Sequence, residues 1–275
     1  MITTLKLWFE SLRGTLTNLR ALGIFIALYA LLLVSFYFFI STREATVWQV
    51  LVTYALLLLL PAEFFVLQAA ILEFARERKF VVKNILLSAL KLAAVTIPVL
   101  IIGALLWWLM NKLQVRFPAK LVFPETPLKA PPTHWPTLLI TTLRFVLFGV
   151  ALPLATIHLW IEASVCDVRA SFAGGARNVF GTIGRTLARA FSSESVFVYG
   201  LGLILFVLGP YLILQPRLTF TGTKTAFTLF VVQVIVALVL MLIGWVVTLV
   251  TLARANASEE VIEVKAPATV AESPA

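Results

Sequence analysis

Charge is scarce in this chain. Of 275 residues, 13% are charged and 61% are apolar types, with 22 Lys or Arg against 13 Asp or Glu. An average soluble domain carries about 25% charged residues. So few charges cannot clothe a water-soluble fold of this length, and a soluble enzyme is excluded. The single cysteine, Cys166, excludes a disulfide-built secreted scaffold. With only two histidines, His134 and His158, a transition-metal site of the usual kind cannot be filled. Asp167 is the sole aspartate, so an intramembrane aspartyl dyad is excluded. No GxxxxGK[ST], GxGxxG or HExxH motif occurs. The expectation is a protein that is not an enzyme and has no cofactor or metal.

Long apolar runs are abundant, and the mean hydropathy is +1.01. A bilayer core about 30 Å thick takes about 20 mainly apolar residues per helix. Six stretches qualify: 21–40, 47–71, 92–110, 137–161, 196–214 and 226–252. The fold class expected is all-α, a bundle of six transmembrane helices forming one domain over residues 1–252. The loop 111–136 holds six prolines and reads as extended. Residues 253–275, rich in Ala and Glu, read as a disordered cytoplasmic tail. The first apolar run has no small-x-small site after it and reads as a permanent helix, not a cleaved signal.

Basic residues set the orientation. The N-terminus, second loop, fourth loop and C-terminus together carry 14 Lys or Arg, and the opposite loops carry 7. Both termini are therefore expected in the cytoplasm, in a plasma membrane of bacterial inner-membrane type. Trp48, Trp107, Trp108 and Trp135 fall at the predicted outer ends, where amphipathic rings favour the headgroup level.

The cytoplasmic segments show helical periodicity. Leu5, Trp8, Phe9, Leu12, Leu16 and Leu19 share one face, and Lys6, Glu10, Arg13, Thr17 and Arg20 another. The second segment sets Phe74, Val81 and Ile85 against Arg76, Lys79 and Lys83. In the third, Phe172, Val179, Ile183, Leu187 and Ala190 oppose Arg177, Arg185 and Arg189. Three cytoplasmic amphipathic helices are expected, each preceding a pair of spans, which gives units of 3–71, 73–161 and 169–252. Such faces either lie on anionic headgroups or pack against the bundle. The lipid bilayer is thus the expected partner, with another membrane protein as a further one and no nucleic acid.

An ionisable group inside a span costs at least about 2.5–3.5 kcal/mol on insertion scales. Glu63 lies two residues after Pro61 and about eight from the inner end of the second span. It reads either as a cation or proton site, or as a carboxylic acid bonded to a neighbouring helix. Arg144, about 10 Å into the fourth span by helix rise, either enters the bundle or snorkels outward. Gln233 matches it in depth and is a candidate partner if Arg144 enters the bundle, whereas Glu63 is about 12 Å lower. His158 and Glu162, four apart, share a face near the inner interface, as a relay or a hydrogen-bonded pair.

The order of amphipathic helix and paired spans, with Ala176-Arg177-Asn178-Val179-Phe180 leading into the fifth span, resembles six-span bacterial membrane proteins. Among these is the membrane domain attached to some glycerophosphodiester phosphodiesterases. The resemblance is one of layout over the whole chain and implies no activity. The functional expectation is a scaffold, accessory or lipid-organising membrane protein. The alternative is a permease for a small solute or lipid that uses Glu63 in its proline-kinked helix.

Overall fold

In lipid a chain must satisfy its own backbone, and a helix does so within one segment. The computed structural model describes residues 2–42, 46–77, 80–117, 135–165, 175–215 and 223–265, and among them every regular element is a helix. In chain order these are α1 (Ile2–Thr17), α2 (Leu19–Ser41), α3 (Val47–Glu77), α4 (Val82–Arg116) and α5 (Trp135–Val165). They are followed by α6 (Gly175–Ala190), α7 (Ser193–Leu214) and α8 (Thr223–Lys265). Six of them, α2, α3, α4, α5, α7 and α8, are long and apolar enough to cross a membrane. The chain is an integral membrane protein of the all-α, multi-pass class.

The spans alternate in direction, and α2–α3, α3–α4, α4–α5 and α7–α8 pack as neighbours. α8 also packs against α3, with both running the same way. One end of the bundle therefore gathers the start of α2, the ends of α3 and α5, the starts of α4 and α7, and the last turns of α8. We call this the terminal end and the opposite one the far end. The core sits at the terminal end: Phe25, Ile71, Leu72, Phe74, Leu92, Ile157, Val198, Leu249 and Leu252 are all buried there. Phe25 meets Phe74 edge-on at 5.6 Å, and Phe80 stacks on Phe74 at 6.0 Å. Toward the far end, large apolar side chains such as Leu51, Leu58, Ile101 and Leu105 face outward.

Two of the spans are locally widened. α5 passes through a π-helical turn at Phe145–Ala151, just before Pro153, and α7 through one at Ile204–Leu208, just before Pro210. Proline has no N–H, so the carbonyl four residues back loses its helical donor. For Pro153 that carbonyl belongs to Gly149, and the Tyr199 hydroxyl of α7 donates to it at 3.0 Å. α7 and α8 approach most closely around glycines. A Cβ on Gly244 would lie 2.8 Å from the Phe206 backbone nitrogen, and one on Gly202 would enter the Thr248 side chain. Gly23, which sequence spacing pairs with Ala27, has open space around it.

Two expectations need correction. The middle amphipathic segment is not a helix of its own: α3 runs to Glu77 and α4 starts at Val82, leaving too few residues between them. Its residues instead cap the hairpin, with Phe74 in the core and Ile85 buried in the first turn of α4. The sixth span does not end at Leu252 either. α8 continues to Lys265, with Ala253 buried and Arg254 donating to Ser11 Oγ of α1 at 3.3 Å. Residues 266–275 lie outside the described residues.

Candidate functional site

Among the described residues, the polar side chains of His158, Glu63 and Arg144, singled out from the sequence, lie in three separate places. The first is the terminal end. Gln68 of α3 is buried and its Oε1 accepts from Trp245 Nε1 of α8 at 2.8 Å. Trp160 Nε1 of α5 donates to Thr96 Oγ1 of α4 at 2.8 Å. Glu73, also buried, accepts from Asn84 Nδ2 at 3.2 Å, and Arg76 donates to the Ser164 carbonyl at 3.0 Å. His158 is fully buried, with its Nδ1 3.2 Å from Asn256 Nδ2 of α8. Its Nε2 is buried without a partner. The expected pair with Glu162 is thus replaced by one with Asn256, because the extended α8 passes beside α5 at that level.

The second place is the middle of α3. Glu63 is half-buried, and its Oε1 accepts from Ser35 Oγ of α2 at 2.9 Å. Its Oε2 is buried with no partner. The adjoining Phe64 and Phe65 meet the Trp160 ring at 5.9 and 6.2 Å. Trp160 stands sixteen residues beyond Arg144 on α5, about 24 Å of helix rise. Glu63 and Arg144 therefore belong to different sites.

Arg144 marks the third, at the far end of α4 and α5. Its Nη2 donates to Asn111 Oδ1 of α4 at 2.7 Å, and the guanidinium lies 5.2 Å from the Trp107 ring centroid. Its Nε is buried without an acceptor. The guanidinium enters the α4–α5 contact and does not bond Gln233, which is half-buried on α8. Sequence reasoning missed Asn111 as the partner because loop boundaries placed it outside the membrane. α4 in fact extends to Arg116.

The basic residues expected at headgroups divide as follows. Lys6, Arg13, Arg20, Lys83 and Arg185 are exposed, and Arg76 is exposed while bonded to α5. Arg189 is half-buried. Lys79 and the side chain of Arg177 lie outside the described residues. On α1, Thr4, Ser11 and Thr15 are buried beside Trp8, whereas Phe9 is 56% exposed and Leu5 and Leu16 face outward. The helix has three faces where the sequence suggests two, because hydrophobicity alone does not mark small hydroxyl residues as a packing surface.

Among the described residues no cluster of three metal-ligating side chains forms. Comparison with family models, with curated proteins and with solved structures gives no match to this chain.

Proposed function

We propose that this protein is a non-enzymatic component of a bacterial inner membrane, with both termini cytoplasmic, that organises lipid or holds a membrane partner. The observation that carries this reading is α1. It turns Thr4, Ser11 and Thr15 to the bundle, with Ser11 bonded to Arg254 of α8, and leaves Leu5, Phe9 and Leu16 exposed beside Lys6 and Arg13. A helix so built lays its apolar stripe in the acyl boundary and its cations among anionic headgroups. Each Lys or Arg near such a surface contributes about 1 kcal/mol. The exposed apolar far halves of α3 and α4 supply surface for lipid or for another helix. The test is enrichment of spin-labelled anionic lipid around the reconstituted protein. Replacing Lys6, Arg13 and Arg20 with Gln lowers that enrichment severalfold; unchanged enrichment refutes the reading.

A second reading, a permease, draws on the buried, unpartnered Oε2 of Glu63. Proton or solute flux in liposomes that disappears in Glu63→Gln would establish it. Flux absent from both proteins favours the scaffold.

A further inference from the structure

Two helix faces meet at the far end. On α4, Trp107, Asn111 and Gln114 recur every three or four residues, with Phe117 just past its end, and on α5 Thr137 with Thr141 and Ile140 with Arg144 are each four apart. Between them Gln114, Phe117, Thr137, Ile140, Thr141 and Arg144 line a cavity of about 30 Å³.

Arginine carries five N–H donors in a rigid fork and stays charged. Here Asn111 takes one donor and the Trp107 face holds the plane, while the Nε–H is buried with nothing to accept it. Among the described residues no carboxylate pairs with Arg144. Arg144 is half-buried, and its Nε–H, cut off from water with no acceptor, is a costly orphan donor on a cation; an anion is the partner that satisfies both the donor and the charge. Cavity size decides which part of an anion enters: there is room for about two or three waters, hence for phosphoryl oxygens and not for a sugar or an amino acid. Arg matches phosphate by two parallel N–H···O bonds. Thr137, Thr141 and Gln114 bring further polar groups to the cavity wall. Exposed Trp107, Trp108 and Trp135 mark the headgroup level. Lys112 and Arg116, exposed on the last turns of α4, add positive field.

We propose that the α4–α5 cleft is a phosphate-binding site centred on Arg144, filled by the phosphate of an anionic phospholipid or by free phosphate. The site lies at the opposite end from α1 and stands whether or not α1 contacts lipid.

The full-length protein, delipidated in detergent, is mixed with phosphatidylglycerol, with diacylglycerol of the same tails or with inorganic phosphate, and bound species are counted by native mass spectrometry. The expected result is one phosphatidylglycerol per chain, at least tenfold preferred over diacylglycerol, with Arg144→Gln at least tenfold weaker. Binding of inorganic phosphate, lost in Arg144→Gln, without lipid preference supports the site and identifies free phosphate as its source. If Arg144→Gln does not fold, Gln114→Leu and Thr141→Val are each expected to weaken phosphate-dependent binding about threefold. Equal retention of phosphatidylglycerol and diacylglycerol without phosphate binding overturns the proposal. So does binding unchanged in every variant that folds.

Discussion

Single polar contacts in this protein join helices far apart in the chain. The Gln68–Trp245 bond ties α3 to α8, and interhelical hydrogen bonds in lipid average about 0.6 kcal/mol with a ceiling near 1.7. A double-mutant cycle of Gln68→Leu and Trp245→Phe, read by reversible unfolding in bicelles, is expected to give a coupling in that range. Zero coupling contradicts the contact. His158 depends on Asn256 in the same way but with more at stake, since its other ring nitrogen already lacks a partner. Asn256→Ala leaves both nitrogens orphaned and is expected to cost about 1–3 kcal/mol. None of these pairs was readable in advance. Sequence marks which residues are polar, but their partners depend on the stagger between helices, which hydropathy does not encode. Arg144 illustrates this: depth by residue counting suggests Gln233, and the α4–α5 register supplies Asn111 instead.

Helices in lipid gain nothing from excluding water from one another, so close approach rests on small residues and hydrogen bonds. The α7–α8 crossing follows that rule. Gly202→Ala and Gly244→Ala force a methyl into Thr248 and against the Phe206 backbone, and overpacking of this kind costs about 1–3 kcal/mol. Gly23→Ala, with open space around it, is expected to be neutral in the same unfolding measurement. The π-helical turn before Pro153 offers a sharper test. Tyr199→Phe is expected to cost about 0.5–1.5 kcal/mol, and less in a Pro153→Ala background, where Gly149 regains a helical donor. Equal costs would show that the Tyr199 bond does not compensate the proline. The existence of six spans was legible because apolar runs have one backbone solution in lipid. Which glycines pack was not: Gly23 and Gly244 look alike in sequence, and only the crossing distinguishes them.

Across the molecule, packing is uneven. The terminal end holds the aromatic cluster, the buried hydrogen bonds and both α1 and the last turns of α8. At the far end the helices present apolar surface and the Arg144 cleft. The first turn of α8 beyond Leu252, from Ala253 to Asn256, packs at the terminal end, where the sequence suggests a disordered tail. Truncation after Leu252 removes the partners of Ser11 and His158 and is expected to lower stability by about 1–3 kcal/mol, measured in bicelles. In the proposed function α1 lies on the membrane with its apolar stripe in the acyl boundary. Electron paramagnetic resonance power saturation tests it most directly, with nitroxides placed singly at Phe9 and Glu10 of the reconstituted protein in a Cys166→Ser background. The label at Phe9 is expected to relax with lipid-soluble oxygen and the label at Glu10 with a water-soluble nickel chelate. Water-like accessibility at both positions would contradict it.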